Sequence, residues 1–255
     1  MSENAGWLIA GLWGLVAGVA LVLGALVAIA VELPHRVIAA VMGFGSGVLV
    51  YVLASQLIQE SVDSGGVAPT LAGFIAGAAV FSLANWLLSR LGAKHRNRCG
   101  GCVKQPKETE APGSGLAIAV GALLDGVPEA LIIGLSVADG KVAIAVVAGF
   151  FLSNLPQGLS SAAGMKQAGR TTTYVLSVWV AIALASAVAA AIGHAALGGA
   201  SAGVQSVIKA FGAGAVLAML AETMIPEAFE KAQGFIGLIT ASGFFTALVL
   251  AQAAS

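Results

Sequence analysis

Apolar residues fill this chain in long uninterrupted runs, and charged residues gather in short clusters between them. Residues 5–31, 37–59, 64–89, 142–165 and 232–255 contain no Asp, Glu, Lys or Arg, and 171–208 is also free of charge. A helix needs about 20 mostly apolar residues to cross the hydrocarbon core of a bilayer. Each run therefore predicts one span, except 171–208, which is too long for one. Eight spans follow, at about 7–31, 37–59, 68–92, 114–137, 142–164, 172–196, 204–227 and 233–253. Ala, Leu, Val and Gly dominate them, which suits close helix packing in lipid. Period-two alternation is absent, which argues against a β-barrel. The first run is too long for the apolar core of a cleaved leader, and Met1 to Trp7 carries no basic residue, so it is read as a span. The predicted fold class is an all-α integral membrane protein, with residues 1–255 forming a single transmembrane domain.

Composition sharpens this reading. Of the 255 residues, 58% are hydrophobic and only 9% charged, where a soluble domain carries about a quarter charged residues. Such a chain cannot cover a water-facing surface, so a soluble enzyme, a nucleic-acid binder and a disordered chain are excluded. The formal net charge is zero, and the information lies in where the charges sit. With the N-terminus outside, Arg36, Arg90, Lys94, Arg96, Arg98, Lys104, Lys107, Lys166, Arg170 and Lys231 fall on the inner side, and only Lys141 and Lys209 on the outer side. Cytoplasmic loops carry the excess of Lys and Arg. Both termini are therefore expected outside, and the largest loop, 93–113, in the cytoplasm.

Two pairs of spans resemble each other. Phe44-Gly45-Ser46-Gly47 in span two matches Phe211-Gly212-Ala213-Gly214 in span seven; Leu53-Ala54 matches Leu220-Ala221, and Glu60 matches Glu227. Asp125-Gly126-Val127-Pro128-Glu129-Ala130-Leu131 in span four parallels Ser153-Asn154-Leu155-Pro156-Gln157-Gly158-Leu159 in span five. In the predicted topology the members of each pair run in opposite directions. Inverted repeats of this kind are common in secondary transporters, whose sites lie near the midplane; chance likeness among Gly- and Ala-rich helices is the competing explanation.

Three acids lie well inside the predicted spans: Asp125, Glu129 and Glu222. A carboxylate at the bilayer centre costs roughly 2.5–3.5 kcal/mol on insertion scales and usually marks function. No Lys or Arg accompanies them at that depth, so the natural counter-ion is a transported cation or a proton. Asp125 and Glu129 are four residues apart and share a helix face. Pro128 between them has no backbone N–H, which deprives the Leu124 carbonyl of its helical donor, and Pro156 does the same to Leu152. Ser153, Asn154 and Gln157 add side-chain oxygens near the second proline. Two kinked helices could thus face each other across an oxygen-rich cage; the plainer alternative is a pair of proline kinks held by polar helix–helix hydrogen bonds. Glu222 lies nearer the cytoplasmic end, as an exit-side ligand, a proton acceptor or a residue already in water. Glu60 and Glu227 read as solvated boundary residues, Gln56 and Gln59 as lining the outer path or bonding between helices, and His35 and His194 as interfacial.

The only two cysteines, Cys99 and Cys102, stand in a basic stretch with His95. In the cytoplasm they are expected to be reduced. Together the three could bind a metal, although a structural zinc site takes four ligands; a solvated basic loop is the alternative. Residues 103–113 read as a flexible linker.

At Asp125–Glu129, Ser153–Gln157 and Glu222–Glu227 the chain resembles the ZIP family of divalent-metal permeases. That family has eight spans, both termini outside and a variable cytoplasmic loop between spans three and four, often metal-binding through histidine. Its metal site is built by His-Asn-x-Pro-Glu-Gly and a close relative on spans four and five. Here Pro128, Glu129, Pro156, Gly158 and the Pro226-Glu227 ending match, whereas Asp125 stands for the histidine, Gly126 for the asparagine and Gln157 for the second glutamate. The resemblance implies a transported divalent metal of the zinc, manganese or iron type held by Asp125, Glu129, Ser153, Asn154 and Gln157, with Glu222 aiding release. The departures imply one metal site where the family bridges two, and oxygen ligands that suit harder divalents such as Mn²⁺, Mg²⁺ or Fe²⁺.

The expected function is inward transport of a divalent cation across the plasma membrane, with spans four and five and their neighbours rocking against the rest. No covalent cofactor, enzymatic reaction or nucleic-acid partner is expected; the partners are the bilayer and the cation, with a homodimer left open. The rival reading keeps the fold but gives it a proton-linked small solute, or no transport at all. A solute pocket would be roomy and aromatic, and none of Tyr51, Tyr174 or Trp179 sits in the motif helices.

Overall fold

A computed structural model describes residues 5–90, 114–138, 144–231 and 234–253. They form eight helices long and apolar enough to cross a membrane, and no strand is found among them. In chain order these are α1 (Gly6–Ala30), α2 (His35–Gly65), α3 (Val67–Leu88), α4 (Ser114–Ala138), α5 (Ile144–Gln167), α6 (Thr172–Leu197), α7 (Ala202–Glu230) and α8 (Ile236–Ala253). The chain is a multi-pass membrane protein. Side chains such as Leu12, Leu71, Ile75, Leu238 and Phe245 lie exposed on the outside of the bundle, where lipid rather than water is the solvent that tolerates them.

Burial separates the helices. α2, α4, α5 and α7 are the most enclosed, and α3 and α8 the most exposed. The most extensive pairings are α1 with α6, α1 with α5, α3 with α7 and α2 with α7, followed by α4 with α6 and α2 with α8. Two groups result: α1, α4, α5 and α6, and α2, α3, α7 and α8. They meet chiefly where α2 lies against α5 and α4 against α7. The motif helices α4 and α5 approach each other at few points.

Glycine sets the closest approaches. A Cβ on Gly47 of α2 would collide with the Thr240 carbonyl of α8, and one on Gly243 of α8 with the Phe44 carbonyl of α2. A like reciprocal pair joins α7 and α3: Gly214 of α7 faces the Phe74 carbonyl of α3, and Gly77 of α3 the Phe211 carbonyl of α7. Small residues let backbones come together where lipid offers no hydrophobic drive. Both α2 and α7 also widen into π-helical turns, at Val52–Ile58 and Leu220–Met224. In α7 the cause is local, because Pro226 withholds the donor that the Glu222 carbonyl would take.

Three helices run three or more residues past their predicted ends: α2, α7 and α5, which reaches Gln167. α2 continues to Gly65 because its polar end is satisfied: Lys209 of α7 lies 3.2 Å from Glu60, and Gln59 donates to Asp63 at 3.0 Å. Gln59 is exposed and does not line an interior path. Gly66, at φ 84°, then turns the chain directly into α3, a left-handed conformation glycine adopts without steric penalty. α7 continues to Glu230, and Glu227, read from sequence as a solvated boundary residue, is buried within it.

Candidate functional site

The two proline-containing helices carry the candidate site. Pro128 lies inside α4 and Pro156 inside α5, and neither breaks its helix. Asp125, Glu129, Ser153, Asn154 and Gln157 are all buried, Glu129 to 2% exposure. They sit near the middle of their helices, so this burial lies at mid-membrane depth if α4 and α5 cross the bilayer.

Each polar group on α5 is held in a particular way. The Ser153 hydroxyl donates to the Phe150 carbonyl at 3.0 Å, leaving its oxygen lone pairs to face other groups. The Asn154 amide donates to the Ala17 carbonyl of α1 at 3.1 Å, which ties α5 to α1 and fixes the amide plane. The Gln157 amide nitrogen is buried without a hydrogen-bond partner. Opposite, both carboxylate oxygens of Glu129 are buried and make no hydrogen bond of ordinary geometry, although Asp125 and the Asn154 amide are close enough to act on it electrostatically. A buried polar atom without a partner costs about 1–3 kcal/mol, more when charged. Unpartnered polar groups of this kind are a poor way to hold helices together and a good way to hold a ligand.

Sequence reasoning placed these five together; in the structure all five are buried, and Glu129 feels Asp125 on its own helix and Asn154 on α5. Glu222 does not join them. It lies on the exposed side of α7, accepting a hydrogen bond from Ser82 and another from Asn85 at 2.7 Å, both on α3. Among the described residues, no three His, Cys, Asp or Glu side chains converge, so a cation between α4 and α5 would take two carboxylates at most and fill its shell with neutral oxygens. His95, Cys99 and Cys102 lie outside the described residues.

Two features were missed from sequence. Ser161, one turn beyond Gln157, is buried with an unpartnered hydroxyl and extends the polar face of α5; its i+4 spacing from Gln157 was the available signal. Ser82 and Asn85, three apart on α3, were visible as polar residues in an apolar run, but nothing local named Glu222 as their partner. Lys209, the one buried basic side chain among the described residues, pairs with Glu60 toward the far end of α2. No family model matches the chain, and no curated protein matches it either.

Proposed function

We propose that this protein is a ZIP-like permease that carries a divalent cation inward through the plane of the membrane. The observation that carries the reading is Glu129: a carboxylate buried in the bundle, unpartnered at both oxygens, beside a second buried acid and with no basic side chain buried beside it. A charge placed there needs a counter-charge, and a transported cation supplies it. Asp125 and Glu129 are the charged ligands; Ser153, Asn154 and Gln157 supply neutral oxygens. One all-oxygen site favours hard divalents such as Mn²⁺, Mg²⁺ or Fe²⁺ over Zn²⁺.

The inverted-repeat reading is supported by the reciprocal glycine contacts of α2 with α8 and of α7 with α3, and by π-helical turns at matching places in α2 and α7. Movement would set α4 and α5, with α1 and α6, against the other four helices. The termini lie outside, by the distribution of basic residues. The cell membrane is the proposed location, and no bond-making chemistry is assigned. Glu222, held by α3, acts after the main site, as a second stop toward the cytoplasm. A second reading, proton-linked transport of a small solute, draws on the same buried Glu129, since a carboxylate without a partner can also be carried as the neutral acid.

The test is uptake into proteoliposomes over a panel of divalent metals, with and without Glu129→Gln. Metal uptake lost in the variant supports the permease. Metal uptake absent from both, with proton movement lost in the variant alone, moves the assignment to the second reading.

A further inference from the structure

A second site lies away from the α4–α5 locus. A cavity of about 400 Å³ opens where the end of α1, the start of α2 and the end of α5 meet. Ala28, Ile38, Leu159 and Ala163 form its apolar wall; Glu32, His35, Lys166 and Gln167 supply its polar groups. Lys166 is nine residues past Gln157, or about 13 Å along the helix. Leu159 and Ala163 also lie on a different face of α5 from Asn154, Gln157 and Ser161, so this cavity does not continue the cage.

The charges around it do not neutralise one another. The Lys166 ammonium donates to the Ile29 carbonyl at 3.2 Å and makes no ion pair with Glu32. Glu32 stands two residues beyond the C-terminus of α1; Lys166 answers the helix end at Ile29, and the exposed Glu32 carboxylate is left to attract a cation. The Nδ1 atom of His35 is buried and has no hydrogen-bond partner. The cavity therefore combines a carboxylate with an ammonium and an imidazole over an apolar wall, at the ends of three helices. Exposed Val31 and Val37 flank it.

We propose that this cavity binds an amine-bearing phosphate, the chemistry of a phosphatidylethanolamine headgroup, with the ammonium on Glu32 and the phosphate on Lys166 and His35. A primary ammonium donates hydrogen bonds to Glu32; a choline headgroup of the same charge cannot, and a glycerol headgroup brings no cation.

The inference stands apart from transport and is tested on the purified full-length protein. Native mass spectrometry in detergent would compare retention of phosphatidylethanolamine, phosphatidylcholine and phosphatidylglycerol. Wild type is expected to retain the ethanolamine lipid about tenfold better than the choline lipid, the scale of one charge-assisted hydrogen bond. Glu32→Gln should bring that ratio to about one, whereas Glu129→Gln should leave it unchanged. Lys166→Gln should weaken every phosphate lipid, and because it also removes the bond to Ile29, Glu32→Gln alone decides if that variant does not fold. Free phosphoethanolamine, assayed by thermal shift, separates the sources: a Glu32-dependent shift assigns a soluble ligand, and lipid retention without it assigns the membrane. Equal retention of ethanolamine and choline lipids by wild type with no shift from phosphoethanolamine, or a preference that survives Glu32→Gln, overturns the proposal.

Discussion

Glu129 is under two opposed demands. Burial without partners destabilises an ionised carboxylate, yet a divalent cation needs that charge to leave water. Substitution separates the two. Glu129→Gln keeps the volume and one carbonyl oxygen, so it should raise the melting temperature in metal-free detergent while lowering uptake more than tenfold, since each ~1.4 kcal/mol of lost affinity is a factor of ten. A purely structural role would give a lower melting temperature instead, and thermal melts with liposome uptake on one preparation decide between them. Neighbouring changes should move selectivity. Asp125→His returns an imidazole and should shift preference toward Zn²⁺ in competition uptake. Gln157→Glu adds a third acid to Asp125 and Glu129 and should tighten binding while slowing release, seen as a lower KM with a lower maximal rate.

At the scale of elements, the glycine contacts between helix backbones carry the packing. Gly47→Ala and Gly214→Ala each place a methyl against a backbone carbonyl that cannot swing away. Overpacking of this kind costs about 1–3 kcal/mol, so each should lower the melting temperature by several degrees. Gly237→Ala in α8 meets nothing within 4 Å and should be silent. Helix positions were largely legible in the sequence, because a charge-free run of span length has few other uses. Their ends were less so. Glu60 looked like a boundary marker until Lys209 paired with it from a distant part of the chain, and Glu227 likewise until α7 was seen to continue and bury it. The candidate site was legible because Asp125, Pro128 and Glu129 lie within two helical turns. The grip of Ala17 on Asn154 was not, since a backbone carbonyl leaves no mark in the sequence.

For the whole molecule, orientation is the property most open to direct test. A membrane-impermeant thiol reagent should leave Cys99 and Cys102 unlabelled in intact cells and label them after permeabilisation; labelling from outside would reverse the topology. Replacing both cysteines by Ser should leave maximal uptake within about twofold of wild type, a change of only ~0.4 kcal/mol, because both precede the start of α4 and the proposed ligands all lie within helices. Near-complete loss in a normally expressed double mutant would show that the loop belongs to the transport site.

In the rocking motion proposed for transport, the connections between helices set how far the two helix groups could travel past each other. α1 joins α2 through residues 31–34, and α6 joins α7 through residues 198–201. Because His194 of α6 sits beside Gly6 of α1, these two short links lie at opposite ends of the bundle. Each is a four-residue tether of at most about 14 Å. A third link, between α3 and α4, is much longer and imposes no comparable limit. Two short leashes on opposite faces act like the paired straps of a folding hinge: they let one group tilt against the other in either direction and stop it from sliding more than a few residues along the membrane normal. Lengthening one strap with an inserted Gly-Ser pair should therefore relax the stop at one face only, altering access to Glu129 from that side while leaving the other side as it was.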